Sequence, residues 1–132
     1  MAHRVPVSLE TTNDPLARMR VFQLATALMP DAFHDAKLLY AEPITRENAA
    51  QLYAAVCSIE SHIGEGYSRS SGKDRARIFE VALGSVREST TWYRSGKPVL
   101  GESITRDRLE RLEEMRRLLL AIIPRERGKK MK

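Results

Sequence analysis

Apolar residues recur along the chain at the three- and four-residue spacing of α-helices, and no stretch alternates with the period of two that marks a half-buried strand. The first stripe follows Asn13 or Asp14, either of which can cap a helix that has Pro15 at its first position. Pro30 interrupts the stripe, so we predict either one long helix kinked there or two shorter helices that meet there. The stripe contains Leu16, Met19, Val21, Leu24, Ala25 and Leu28 before Pro30, and Phe33, Ala36, Leu38, Leu39 and Tyr40 after it.

The second helix is predicted to follow a connection that contains Pro43, with Thr45 as its cap. Its apolar positions fall at spacings of four, three and four, which is typical of a single buried seam in a helical bundle. Gly64 and Gly66 weaken the helix near its end. The seam consists of Leu52, Val56, Ile59 and Ile63.

The third helix is predicted to run from Lys73 to about Arg94, with Ser71 and Asp74 at the spacing of a capping box. It carries two neighbouring apolar stripes, which indicates a wide buried face. Gly84 and Ser85 lower helix propensity by about 1 kcal/mol in mid-helix, and we expect another helix to approach these small side chains closely in compensation. The stripes are Phe79, Leu83, Val86, Thr90 and Tyr93, and Ile78, Ala82, Ser85, Ser89 and Trp92.

The fourth helix is predicted to start near Ser103 or Thr105 and to end at Pro124. Four helices with short connections predict an all-α fold, an up-down-up-down antiparallel four-helix bundle over residues 13–124. A flexible N-terminal tail (residues 1–12) and a basic C-terminal tail (residues 125–132) flank it. The seam of this helix is Leu109, Leu112, Met115, Leu119 and Ile122.

The composition fits one folded domain, because 132 residues of which 42% are hydrophobic suffice for a single core. No apolar run approaches the roughly 18 residues that a membrane span needs, and the first residues lack the apolar stretch of a signal peptide. A single cysteine, Cys57, excludes an internal disulfide and fits a reducing compartment. We therefore expect a cytoplasmic protein without membrane contact.

Positive charge is concentrated late in the chain. The net charge is −1 over residues 1–45, +2 over residues 46–101 and +4 over residues 102–132. Such a balance permits, without demanding, the binding of nucleic acid or another polyanion. The candidate nucleic-acid contacts are Arg69, Lys73, Arg75 and Arg77 around the start of the third helix, and Arg125, Arg127, Lys129 and Lys130 in the tail.

Two structural explanations of the same basic residues stay open. The Lys and Arg side chains can form a solvated face that serves solubility. Arg69 and Arg77 can also be neutralised by Glu65 or Glu80, which lie at helical spacing from them.

No motif in the sequence predicts catalysis, a metal site or a cofactor. The chain contains neither a His-Glu-x-x-His pair nor a Glu-x-x-His repeat. Glu60 and His62 are two residues apart and so point to different faces of a helix. Cys57 lies next to a buried seam, where a small packing residue is commoner than a nucleophile. Gly64-Glu65-Gly66 lacks the Gly-Lys-Ser/Thr ending of a phosphate loop.

The middle of the chain resembles a known family. The run from Ser58 to Arg69, Ser-Ile-Glu-Ser-His-Ile-Gly-Glu-Gly-Tyr-Ser-Arg, resembles the Ser-Ile-Pro-Ser-Asn-Ile-Ala-Glu-Gly-Tyr-Gly-Arg signature of the four-helix bundle intervening-sequence proteins. Residues 80–86, Glu-Val-Ala-Leu-Gly-Ser-Val, and residues 21–25, Val-Phe-Gln-Leu-Ala, are similar to two further blocks of that family. The chain departs from the pattern at Glu60 (usually proline), at His62 (asparagine) and at Arg75 (an aromatic residue).

Two branches of that family lead to different expectations. Intervening-sequence proteins are encoded within insertions in bacterial large-subunit ribosomal RNA genes, and their membership implies no established activity. The accessory variability determinant proteins of diversity-generating retroelements belong to the same family. The family resemblance as a whole implies a bundle that assembles as a ring-like homopentamer with a basic surface. Membership of the retroelement branch further implies binding to a reverse transcriptase and to nucleic acid.

The leading hypothesis is therefore a non-catalytic, homo-oligomeric accessory protein that binds RNA, DNA or a reverse transcriptase. The alternative is a structural or protein-interaction bundle with no role in nucleic-acid binding. A third hypothesis, a bundle enzyme with a nucleotide or metal site, has no motif to support it.

Overall fold

Residues 13–128 are described by a computed structural model, and this part of the chain consists of helices and turns without a strand. The all-α prediction is thus confirmed. The predicted N-terminal tail, residues 1–12, lies outside the described residues, as do residues 129–132. After a short 3-10 helix, Pro15–Arg18, the α-helices are α1 (Arg20–Ala41), α2 (Arg46–Tyr67), α3 (Gly72–Ser95), α4 (Lys97–Leu100) and α5 (Glu102–Arg127).

The first helix starts later than the sequence predicted. Asp14 does act as a cap, because its Oδ1 accepts a hydrogen bond from the Leu16 N–H at 3.0 Å. The turn that it caps ends at once, since Met19 is extended with φ −75° and ψ 119°. The 3-10 helix and α1 are therefore separate elements.

Helix α1 passes through Pro30 without ending, so the single long helix is the correct one of the two alternatives. Pro30 is exposed, where water can bond the carbonyl that a proline leaves without a helical partner. Beyond Pro30 the predicted stripe is wrong in part, because Phe33 is 53% and Tyr40 62% exposed, whereas Leu39 is fully buried as predicted. The buried row instead continues at helical spacing through Leu28, Ala32, Asp35 and Leu39.

The seam of α2 is confirmed, since Leu52, Val56, Ile59 and Ile63 are all fully buried. Thr45 directly precedes α2 but makes no side-chain cap, so that prediction is wrong. Its hydroxyl instead donates to the carbonyl of Leu39 at 2.6 Å and holds the end of α1 against the start of α2.

Helix α3 has the wide buried face that its two stripes predicted. Ser71 caps it, accepting a hydrogen bond from the Asp74 N–H at 3.1 Å. The close approach expected at Gly84 and Ser85 occurs at Ser85, whose hydroxyl lies 2.8 Å from that of Ser58 on α2, whereas a Cβ added at Gly84 would meet nothing within 4 Å. Gly66 of α2 is the tight position instead, since a Cβ there would lie 2.8 Å from the ring of Phe79.

Helix α5 continues through Pro124 to Arg127, so the predicted end at Pro124 is wrong. A proline so near the end removes one helical hydrogen bond, and the Pro124 carbonyl still accepts from the Gly128 N–H at 3.2 Å. Leu112, Met115 and Leu119 form the predicted seam and are fully buried, whereas Leu109 and Ile122 are half-buried. The one-turn helix α4 was not predicted.

The long helices enclose one core. Helix α2 packs against both α1 and α3, and α5 packs mainly against α3 and also against α1. The core takes its largest buried side chains from all four, among them Leu28, Leu52, Phe79 and Leu119. None of the helices in residues 13–128 has the length and apolarity needed to cross a membrane.

Candidate nucleic-acid interface

The two basic clusters, separated by more than a third of the chain, meet on one surface. Arg75 Nε donates to Glu126 Oε2 at 2.8 Å, and Arg127 pairs with Glu80, so the start of α3 lies against the end of α5. The six described candidates, which we call the basic corner, are Arg69, Lys73, Arg75, Arg77, Arg125 and Arg127. The two remaining candidates, Lys129 and Lys130, lie outside the described residues.

Carboxylates neutralise much of the basic corner. Besides the two pairs that join α3 to α5, Arg69 Nη2 lies 2.7 Å from Glu65 Oε1, and Arg77 Nε lies 3.6 Å from Asp74 Oδ1. The pairing of Arg69 with Glu65 that the sequence left open is thus present.

Lys73 and Arg125 are the basic-corner cations that remain available. Both are exposed, and neither forms an ion pair within residues 13–128. They are therefore the strongest of the predicted contacts.

Arg75 holds the corner together. Its side chain is only 18% exposed, and besides Glu126 it binds the backbone, with Nη1 donating to the Arg69 carbonyl at 2.8 Å. A guanidinium used in this way ties the α2–α3 turn to α5 and has few donors left for a ligand.

A second cationic surface, which the sequence analysis missed, lies between α3 and α5. A groove of about 870 Å³, here called the α3–α5 groove, separates the second half of α3 from the first two-thirds of α5. Its cations come from three helices, so only the fold brings them together. The seven-residue spacing of Arg87 and Arg94 was the available signal, because it places both on one face of α3. Its charged lining consists of the cations Arg87, Arg94, Lys97, Arg106, Arg116 and Arg117, and the carboxylates Glu102, Glu110 and Glu113.

Two carboxylates in the groove are each engaged by two cations. Glu102 lies 2.8 Å from Lys97 Nζ and 3.1 Å from Arg106 Nη2, and these hydrogen bonds, that from Lys97 foremost, hold its pKa below the ordinary value. Glu113 accepts a hydrogen bond from Arg116 at 2.7 Å, which likewise lowers the pKa of Glu113. Both groups therefore stay ionised at neutral pH and leave net positive charge around them.

Arg87 and Arg94 differ from the other cations of the α3–α5 groove. Both are exposed, and no carboxylate of residues 13–128 pairs with either. The groove therefore offers two unengaged guanidinium groups on one wall.

A buried ionic cluster, also missed in the sequence, joins α1, α3 and α5. Asp35 is 1% exposed and accepts hydrogen bonds from Arg108 Nε at 2.8 Å, Arg108 Nη2 at 3.2 Å and the Tyr93 hydroxyl at 2.7 Å. Burial, together with the neighbouring Asp35 carboxylate, raises the pKa of Tyr93 far above its ordinary value. Tyr93 is fully buried, and its bond to Asp35 and that of Arg108 tie α1, α3 and α5 together.

Arg111 extends the cluster along α5. Its Nη1 donates to Asp31 at 2.7 Å and to Asp107 at 3.3 Å. Burial would raise the pKa of Asp107, but hydrogen bonds from Arg108 and Arg111 outweigh it and lower that pKa. The Nε and Nη2 atoms of Arg111 are buried without a hydrogen-bond partner in the described chain.

The histidine and the cysteine of α2 that the sequence offered for metal binding or catalysis make contacts that are common within a helix. Nδ1 of His62 lies 2.8 Å from the Ser58 carbonyl of its own helix. Cys57 is half-buried, and its hydrogen bond with Tyr53 raises the pKa of that tyrosine. Within residues 13–128, no three His, Cys, Asp or Glu side chains are placed to hold a metal ion together.

Comparison with known proteins gives one family and one fold. The family model described as 23S rRNA-intervening sequence protein matches residues 18–121. A similar solved structure is that of a protein with unknown function from the S23 ribosomal protein family of Bacteroides thetaiotaomicron. It has a TM-score of 0.72 and 19% sequence identity, and the match covers 78% of this chain and 97% of that one. At this identity the likeness shows the fold alone. None of the curated proteins matches the chain.

Proposed function

The chain belongs to the family of 23S rRNA-intervening sequence proteins, and from this membership and its surface charge we propose that it is a non-catalytic, homo-oligomeric accessory protein that binds nucleic acid. We assign it to the retroelement branch, where the partner would be a reverse transcriptase and its RNA. The single observation that carries the proposal is the joining of the two basic clusters at one corner by the pairs Arg75–Glu126 and Arg127–Glu80.

The architecture that we propose is an up-down-up-down bundle. The links between the long helices are short, namely residues 42–45, 68–71 and 96–101. A helix of 22 residues is about 33 Å long. Links of this length are too short to run back along such a helix, so each long helix would run opposite to the one before it.

The proposed self-association has support on the outside of the bundle. Within residues 13–128, seven large apolar side chains are more than a third exposed, and Ile44 is the most exposed of them at 88%. We adopt the pentamer from the family resemblance, and the apolar surface supplies contacts through which copies would meet. The seven are Phe33, Leu38, Tyr40, Ile44, Tyr67, Val81 and Leu120.

The test of nucleic-acid binding is a charge reversal at the two unpaired cations of the basic corner. The double variant Lys73→Glu/Arg125→Glu should bind structured RNA at least 10-fold more weakly than the unchanged protein in fluorescence anisotropy. The slope of log affinity against log salt should fall by about 2, because two phosphate contacts are lost.

The matched control is Arg18→Glu/Lys37→Glu, which makes the same change in net charge at two exposed residues elsewhere. It should lower the affinity much less. Failure of the unchanged protein to bind RNA or DNA at low salt, or equal losses in both variants, would contradict the proposal.

A structural or protein-interaction bundle is the second candidate, and the neutralised corner favours it. Four of the six described cations there are engaged by carboxylates, and two of these pairs, Arg75–Glu126 and Arg127–Glu80, fasten α3 to α5. If this function is correct, substitutions of exposed apolar residues should abolish the binding of a protein partner. The variant Lys73→Glu/Arg125→Glu should still bind that partner. A reverse transcriptase gene beside this gene would favour the retroelement branch, and surrounding ribosomal RNA the other.

A further inference from the structure

The α3–α5 groove has the size of a ligand site. Its volume of about 870 Å³ falls within the roughly 300–1,000 Å³ of small-molecule sites. Thr105 and Leu112, 3% and 0% exposed, are its most buried lining residues and so form its floor. The basic corner contributes none of the lining residues, so the groove is a separate surface.

One wall of the groove presents two guanidinium groups at a fixed interval. Arg87 and Arg94 are seven residues apart on α3, which places them about 10 Å apart along the helix axis. Neither has a carboxylate partner in the described chain. A guanidinium matches a phosphate group with two parallel hydrogen bonds, which suits it to this ligand better than to a simple anion.

The opposite wall does not cancel this charge. On α5, Glu113 is engaged by Arg116 and lies 3.9 Å from Arg117, so two cations face one carboxylate. Glu110 is the carboxylate of the lining that pairs with no cation of residues 13–128. Six cations against three carboxylates leave the groove with a net charge of +3.

The floor holds a hydroxyl that lacks a partner. Thr105 Oγ1 is buried and makes no hydrogen bond within the described residues. Buried hydroxyl groups without a partner are uncommon in folded proteins. After a rotation of the Thr105 side chain about its Cα–Cβ bond, a phosphate oxygen at the floor of the groove would accept a hydrogen bond from this hydroxyl.

We infer that the α3–α5 groove binds phosphate groups, held by Arg87 and Arg94 with Thr105 beneath them. The phosphate can belong to a free phosphorylated compound or to the backbone of a nucleic acid. The site is independent of the basic corner and does not rest on the function proposed above.

Calorimetric titration of the full chain with inorganic pyrophosphate and with a short single-stranded RNA tests the inference. The variant Arg87→Gln/Arg94→Gln should weaken the binding of at least one probe 10-fold or more. Thr105→Val should weaken the same probe several-fold, and Arg87→Lys/Arg94→Lys should recover part of the loss. The matched control Lys73→Gln/Arg125→Gln removes two charges from the basic corner and should change pyrophosphate binding less than 2-fold.

The two probes separate the sources of the phosphate. Groove-dependent binding of pyrophosphate assigns a free phosphorylated ligand, and groove-dependent binding of RNA alone assigns a nucleic-acid backbone. The inference is overturned if neither probe binds, or if the Arg87→Gln/Arg94→Gln variant binds both as the unchanged protein does. RNA binding lost only on changing Lys73 and Arg125, together with no groove-dependent binding of pyrophosphate, would overturn it while supporting the proposed function. Unchanged thermal unfolding of the exposed Arg87 and Arg94 variants ensures that affinity is compared between folded proteins.

Discussion

At the scale of single residues, Asp35 shows why a buried charge escapes a search for apolar stripes. It occupies the core register of α1 between Ala32 and Leu39, yet its type predicts exposure. Its partners come from α3 and α5, Tyr93 and Arg108, at separations of 58 and 73 residues. Helical spacing places Asp35 on the buried face, but nothing local reveals the partners that make its burial tolerable. The apolar Phe33 and Tyr40 were wrongly preferred for the same reason.

The buried ion pair predicts a large effect of a small change. Asp35→Asn should lower the free energy of unfolding by about 3 kcal/mol, because it removes the carboxylate charge that compensates the largely buried Arg108 guanidinium. Glu114→Gln, which removes the partner of Arg20 in an exposed pair, should cost less than about 1 kcal/mol. Urea unfolding of both variants measures the difference. Similar, small losses in the two would show that Asp35 contributes little.

At the scale of the helices, the sequence predicted the interior of each element better than its ends. The seam of α2 and the cap at Ser71 follow from local spacing and local hydrogen bonds, and both are present. Pro124 predicted a helix end that the fold overrides, because Glu126 and Arg127 anchor the last turn of α5 on α3. Such contacts depend on how the helices pack together, so the sequence near Pro124 does not predict them.

Two glycines in these helices should respond to alanine in opposite ways. Gly66→Ala should destabilise the protein by about 1–3 kcal/mol, because the added Cβ would lie 2.8 Å from the Phe79 ring. Gly84→Ala should raise the free energy of unfolding by about 1 kcal/mol, because alanine favours the helix and the new Cβ meets nothing within 4 Å. Thermal unfolding of both variants shows which substitution stabilises the protein and which destabilises it. A loss at Gly84 would instead indicate that a second copy of the chain covers this position.

At the scale of the whole molecule, the fold assembles surfaces that the sequence shows only as fragments. The all-α class followed from periodicity, but the meeting of α3 and α5 did not, because it depends on which helices are neighbours. That one contact creates both the basic corner and the α3–α5 groove. The candidate site was therefore half predicted: its cations and the Arg69–Glu65 pair were named, whereas the pairs Arg75–Glu126 and Arg127–Glu80 between α3 and α5, and the groove beside them, were not.

Self-association is also a property of the whole molecule, and the mass of the native assembly tests it. We expect native mass spectrometry to give an oligomer, and the unfolding temperature to rise with protein concentration. The double variant Phe33→Ser/Ile44→Ser, at two exposed apolar residues, should lower the mass while the helical circular dichroism stays unchanged. A monomer at every concentration would exclude the oligomer.

The contacts made by α5 can form only late in the synthesis of the described part of the chain. A chain leaves the ribosome from its N-terminus, so α1, α2 and α3 emerge before α5. Until α5 follows, Asp35 lacks Arg108, which lies 73 residues later, and Arg75 lacks Glu126, 51 residues later. The nascent three-helix segment therefore carries an uncompensated carboxylate at its future core. Of the four long helices, α5 is synthesised after the other three, and it completes the core and forms one side of both cationic surfaces.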